Sequence, residues 1–240
     1  EIYTLSLHDA LPIYMVVDVI IPAYNEEASI ALVIQDLPEL VREIIVVDNN
    51  SIDATSDRAI EAGATVIKQQ LQGYGNACLK GIEYLLSKNN PPDIVVFLDA
   101  DYSDHPAELV DLIKPIQNEN ADLVIGSRSL GQRERGSMLP QQRFGNWLAT
   151  VLVKIVYGKK ISDLGPFRAV DFKKLLELDM QDKTYGWTIE MQLKAIKQNY
   201  HYREVPVSYR KRIGISKITG TVKGTILAGV KIIGTIIKLR

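Results

Sequence analysis

The chain has 240 residues, a formal net charge of −1, 46% hydrophobic and 24% charged side chains. That is the balance of an ordinary globular domain, long enough to bury a core without staples, and the single Cys78 excludes an internal disulfide. The near-neutral total hides a split: residues 1–122 carry 21 acidic and 6 basic side chains, residues 123–240 carry 8 and 22. An acidic half suits a cation, and a basic half suits phosphate, a membrane surface or nucleic acid. The same split also serves two faces that neutralise each other within one fold.

Residues 1–14 lack the basic start and long apolar core of a signal peptide. They resemble translated vector sequence and are expected to be a non-native leader, with the domain starting at Met15. Val16–Ile21 is a β-branched apolar run, a first strand. It ends at Pro22-Ala23-Tyr24-Asn25-Glu26, and a helix follows toward Leu37. Ile44–Val47 is a second strand, ending at Asp48-Asn49-Asn50-Ser51. Ser51 or Asp53 is placed to cap the next helix and Gly63 to end it. Thr65–Ile67 is a third strand, and Gly73-Tyr74-Gly75 opens a helix to about Ser87, with Cys78 as a small core residue.

Ile94–Leu98 reads as a strand buried on both faces, as in a parallel sheet. It runs straight into Asp99-Ala100-Asp101. Like charges one residue apart repel, and a divalent cation relieves them. Mg²⁺ or Mn²⁺ takes one or two carboxylates plus substrate phosphates, so a metal–diphosphate site is one reading. A solvated turn capping the helix that starts near Pro106 is the other. That helix runs to about Gln117, and Leu123–Ile125 is a fifth strand ending at Gly126-Ser127-Arg128. Alternating strands and helices argue a mainly parallel sheet flanked by helices. Asp48, Asp99, Asp101 and Arg128 then share the carboxyl rim, where ligands bind in such sheets. The chain has neither the glycine pattern of a dinucleotide fold nor a P-loop.

The second half changes character. Residues 128–145 carry four arginines with Gly and Pro and read as a basic loop. A helix over Asn146–Tyr157, a polar turn at 163–168, a helix over Trp187–Lys197 and a strand over His201–Ser208 follow. Residues 210–217 form a second basic loop. In the tail, 218–240, Lys223, Lys231 and Lys238 fall within about 80° on a helix otherwise rich in Ile, Leu and Val. Its uncharged runs are shorter than the ~20 residues a spanning helix needs. It is expected to lie in a membrane interface, or to dock on its own domain or on a second copy. No aromatic interleaving supports nucleic-acid binding.

PAYNE (22–26), VVDNNSIDAT (46–55), DADYSDHP (99–106), GSR (126–128), DLGPFRA (163–169), IE (189–190), EVPV (204–207) and RIGISK (212–217) together resemble the family 2 glycosyltransferases. The likeness is strongest to the dolichyl-phosphate mannosyltransferase and polyprenyl-phosphate glycosyltransferase branch, and it spans 16–217. It implies a GT-A fold over 15–217 and a metal-dependent, inverting hexosyl transfer. The donor would be a UDP- or GDP-linked sugar and the acceptor a polyprenyl phosphate, with the enzyme cytoplasmic and peripheral at the inner membrane face. By position, Pro22, Tyr24, Glu26 and Asp48 would hold the nucleoside. Asp99 and Asp101 would hold Mg²⁺ or Mn²⁺ and the diphosphate. Arg128, Arg212, Ser216 and Lys217 would grip phosphates. Relatives carry Asp-Asp-Gly-Ser where this chain has Asp48-Asn49-Asn50-Ser51, and a Gln where it has Ser103, a weaker metal ligand.

A phosphate acceptor is already anionic and needs alignment and charge compensation rather than a base. Arg212, Lys217 and Ser216 can supply that. A hydroxyl acceptor needs a base, for which Glu190 or Asp163 is the candidate. His105 reads as turn structure before Pro106. Tyr185 and Trp187 are either a sugar platform or core aromatics. Other readings are a soluble acceptor, a sugar-phosphate nucleotidyltransferase and a non-catalytic membrane adaptor.

Overall fold

The computed structural model describes residues 15–214 and 222–240. The expected leader, Ser216, Lys217 and the start of the expected tail helix therefore lie outside the described residues. Seven strands form one sheet: β1 (Val17–Ala23), β2 (Val41–Asp48), β3 (Thr65–Lys68), β4 (Ile94–Phe97), β5 (Leu123–Ser127), β6 (Arg168–Asp171) and β7 (Tyr202–Pro206). Their order is β3-β2-β1-β4-β6-β5-β7. Every neighbouring pair is parallel except the two that involve β6.

The central strands are apolar on both faces because both faces are covered. Val19, Ile21 and Val96 point into one core with Ile30, Val33, Leu109 and Leu112. Ile20, Val95 and Phe97 point into the other with Ala77, Leu85, Trp187 and Met191. These partners come from α1 (Ile30–Gln35) and α4 (Leu109–Glu119) on one side, and from α3 (Tyr74–Leu86) and α7 (Trp187–Lys197) on the other. Helix α2 (Thr55–Glu61) ends as expected, with Gly63 just beyond it at φ +94°. Of the two expected caps, Asp53 accepts from the N–H of Thr55, the helix's first residue, at 3.1 Å, and Ser51 accepts from Asn25 N–H instead.

Two elements depart from expectation, and the tail helix takes one of the places expected for it, docked on its own domain. The turn read at 163–168 runs into β6, inserted antiparallel between β4 and β5, and α6 (Phe172–Glu177) follows. Arg168 inside a buried strand masks the apolar pattern. Helix α5 (Pro140–Tyr157) starts six residues before Asn146, because a proline is well suited to a helix's first position. Helix α8 (Val222–Lys238) packs on α5 and α7, where Ile236 joins a third cluster with Val153, Ile189 and Leu193.

The chain runs outward from β1 to β3, then crosses back to β4 on the other side of β1. The carboxyl ends of β1 and β4 therefore flank the point where the winding direction reverses. In open α/β sheets that is where a crevice opens.

Candidate active site

A cavity of about 300 Å³ occupies that crevice. Pro22 at the end of β1 and Tyr24 and Glu26 just beyond it line it, with Asp99 and Asp101 from beyond β4, Gly73, Tyr74, Tyr185 and Arg212. A second cavity of about 450 Å³ adjoins it and shares Tyr74, Asp99, Asp101, Tyr185 and Arg212. Its far part runs between α5 and α8, walled by Phe144, Leu148, Leu164, Ile232 and Ile233, with Arg128 at the inner end. Gly145 and Gly229 also line it, and a Cβ on either would meet nothing within 4 Å.

Asp101 is held rigidly. Its Oδ1 accepts from Ser103 N–H at 2.9 Å and from the Ser103 hydroxyl. Ser103 thus orients an acid and lines neither cavity. Asp101 Oδ2 lies 3.0 Å from Arg212 Nη1, and Arg212 Nη2 lies 3.0 Å from Glu26 Oε1. The loop carrying Arg212 lies along the acidic loop: Arg210 N–H donates to Ser103 O at 2.9 Å and Ile213 N–H to Asp101 O at 3.0 Å. Arg210 also stacks 3.3 Å from the Tyr102 ring centroid.

Burial, and then the charge of Asp101, push the Asp99 carboxyl up to about 7 against the pull of Arg212 and Arg128. Asp104 is buried, and among the described residues neither of its carboxylate oxygens has a hydrogen-bond partner. Burial and Asp99 raise its pKa well above the usual carboxylate range. Among the described residues no group of three or more His, Cys, Asp or Glu could hold a metal by itself. The donor set fits a hard cation that takes one or two carboxylates here and its remaining oxygens from a diphosphate and water.

Arg128 donates through its backbone N–H, Nε and Nη2 to Asp163 at 2.7, 2.9 and 2.7 Å and lies 5.1 Å from the Tyr209 ring centroid. Burial alone would raise the Asp163 carboxyl; Arg128 holds it below its ordinary value. Glu190 accepts from Gln181 N–H at 3.0 Å and Asp182 N–H at 2.7 Å, and pairs with Lys194 at 2.8 Å. Neither acid lines a cavity. Each is committed to holding a loop rather than free to take a proton.

Asp48 likewise turns away from both cavities, toward Lys68, Ser51 and Ser56. Its neighbour Asn49 lines the crevice instead. Asn49 donates to Gln69 O and Leu71 O and accepts from Gly73 N–H at 2.7 Å. The only signal for it in the sequence was its position at a strand end. Trp187 is core, edge-on to Phe97 at 6.0 Å, whereas Tyr185 lines both cavities. His105 precedes a short turn of 3-10 helix at Pro106–Glu108, and Cys78 is buried.

The profile described as Glycosyl transferase family 2 matches residues 18–178. An uncharacterised glycosyltransferase of Mycobacterium tuberculosis is 32% identical over 214 residues, covering 88% of this chain and 94% of its own. An undecaprenyl-phosphate mannosyltransferase of Micrococcus luteus is 30% identical over 224 residues, covering 88% and 90%. Among solved structures, glucosyl-3-phosphoglycerate synthase of Mycobacterium tuberculosis is similar with a TM-score of 0.73 at 23% identity, covering 94% of this chain and 80% of that one. It was crystallised with Mn²⁺, UDP and glucosyl-3-phosphoglycerate. At that identity the likeness carries the fold, which is the GT-A architecture expected from the sequence.

Proposed function

The chain belongs to glycosyl transferase family 2, and we propose that it moves a glycosyl group from a nucleoside-diphosphate sugar to a polyprenyl phosphate at a membrane surface. The observation that carries this reading is the second cavity. It starts at the acidic pair and two arginines, then continues between α5 and α8 along apolar walls. A soluble acceptor has no use for such walls; an isoprenoid chain behind a phosphate does.

The crevice at β1 and β4 then takes the nucleoside diphosphate. Asp99 and Asp101 would hold Mg²⁺ or Mn²⁺, which supplies positive charge to the departing diphosphate. The acceptor phosphate oxygen attacks the anomeric carbon as the bond to the diphosphate oxygen breaks, so one displacement inverts that carbon. Arg212 and Arg128 steady the two phosphates. No base is required, which agrees with Asp163 and Glu190 being occupied elsewhere.

The outer faces of α5 and α8 favour peripheral membrane contact. Phe144, Trp147 and Ile155 of α5 and Ile226, Val230 and Ile237 of α8 are all exposed. No helix among the described residues is long and apolar enough to cross a membrane. Lys231 pairs with Asp182 of its own domain at 2.8 Å. Lys231 is thus engaged within the domain, and the exposed apolar side chains are what this face of α8 offers a bilayer.

The test is Gly229→Leu, which adds an apolar side chain to the lining of the cleft at a position where a Cβ meets nothing within 4 Å. With Mn²⁺ and UDP-glucose or GDP-mannose as donors, transfer to undecaprenyl phosphate should fall at least tenfold. Binding of the donor by calorimetry should be unchanged. Equal transfer by both proteins, or transfer to 3-phosphoglycerate but not to the lipid, overturns the acceptor assignment.

A further inference from the structure

We propose that the Tyr74 hydroxyl is a specificity-determining contact to the glycosyl group in transit. This rests on the division into donor and acceptor cavities proposed above.

A group handed from one cavity to the other must pass their common wall. Five described residues form that wall, and two of them, Asp101 and Arg212, already pair with each other. Tyr74 is different. Its hydroxyl is buried and makes no hydrogen bond of ordinary geometry among the described residues, although the Asp99 carboxylate lies beside it. A buried hydroxyl left so costs about 1–3 kcal/mol, which is relieved when a partner arrives.

The partner has to come to Tyr74, because Tyr74 is fixed. It opens α3 directly after Gly73, whose φ of +140° few other residues adopt. A Cβ at Gly73 would lie 2.2 Å from Lys183 O, and one at Gly75 would lie 1.9 Å from Asp182 O. Asn76 N–H donates to Lys183 O at 3.0 Å. The 181–183 segment is in turn anchored on Glu190. Glu190 thus acts at a distance, by setting the segment against which Tyr74 is clamped.

The chemistry matches a sugar. A phenol is neutral near pH 7 and donates its O–H. On the wall shared by both cavities, the Tyr74 O–H therefore offers a buried donor to a sugar hydroxyl. A site built to bond a hydroxyl rejects the analogue lacking it, because its own buried group is left unpaired.

Tyr74→Phe removes that oxygen alone. Wild type and variant are compared with UDP-glucose and GDP-mannose, the monodeoxy analogues of whichever donor is turned over, and UDP or GDP with Mn²⁺. The variant should melt at the same temperature or higher, since an unpaired buried group is gone, and should bind the nucleoside diphosphate within about twofold of wild type. At one sugar position wild type should lose about 10- to 100-fold in kcat/KM with the deoxy donor, and the variant should lose almost nothing. Undiminished discrimination at every position overturns the proposal. So does a fall in melting temperature of several degrees, which would reveal a protein partner for the hydroxyl. A wild type that turns over neither donor instead overturns the proposed function, and this contact with it.

Discussion

Asp48 closes β2 with its carboxylate 2.6 Å from Lys68 Nζ and 2.8 Å from Ser51 N–H. Burial raises its pKa, but Lys68, Ser51 and Ser56 together outweigh that and bring it down to about 2. A carboxyl depressed by folding contributes stability that is fully present above its unfolded pKa near 4 and is lost as pH falls through the folded value. Asp48→Asn should therefore be less stable than wild type at pH 7 by on the order of 1–2 kcal/mol, allowing for the exposed Lys68 partner. Urea melts should show the gap closing between about pH 4 and pH 2; a gap independent of pH would contradict the ion pair. Glu190 makes the complementary case. Glu190→Gln keeps an acceptor for Gln181 or Asp182 N–H, so activity should fall less than tenfold with an unchanged pH–rate profile, whereas losing a general base costs about 10²–10⁴. Asp99 and Asp101 were legible because two acids one residue apart directly after a buried strand already imply charge chemistry, and Arg212 was reached through the family likeness of its basic loop. Asp48 and Glu190 were not, because Lys68 and the 181–182 backbone reach them only through the folded chain.

Among the elements, the apolar β-branched strands and their following helices could be read directly, since burial on both faces leaves a run no loop would carry. Strand β6 could not. It is four residues long, its first is a buried arginine, and that guanidinium donates to Pro166 O and Thr188 O. Helix α8 was legible as amphipathic, but not which side would turn inward. Ile236 is buried and Tyr157 O–H donates to Ile236 O at 2.9 Å, so deleting the helix would open the α5–α7 cluster and say little about membranes. Val230→Glu and Ile237→Glu change only its exposed face. Each should weaken binding to phosphatidylglycerol-containing liposomes about tenfold or more in co-sedimentation, the loss expected when an apolar side chain's burial is exchanged for a charge. Melting temperature should stay within a degree or two. Unchanged sedimentation would remove the bilayer as the partner of this face.

Across the whole molecule, the two halves of opposite charge meet at the site. Arg212 bridges Glu26 and Asp101, 186 residues from the former, and Arg210 lies 3.6 Å from Asp36. In the unliganded protein Arg212 thus supplies the positive charge that the acidic pair lacks. A cation held at Asp101 would compete with it, and a diphosphate would give the released guanidinium a new anionic partner. Metal and donor would then help each other bind, and by linkage each would strengthen the other by the same factor. Arg212→Ala removes the competitor and the partner at once. Mn²⁺ alone should bind the variant about three- to tenfold tighter, while Mn²⁺ with UDP or GDP binds about tenfold weaker, a total coupling loss near 2–3 kcal/mol. Titration calorimetry reads both limbs in one protein. If Mn²⁺ alone bound the variant no better than wild type, Arg212 would be only a phosphate ligand, and the contact across the two halves would be one of stability alone.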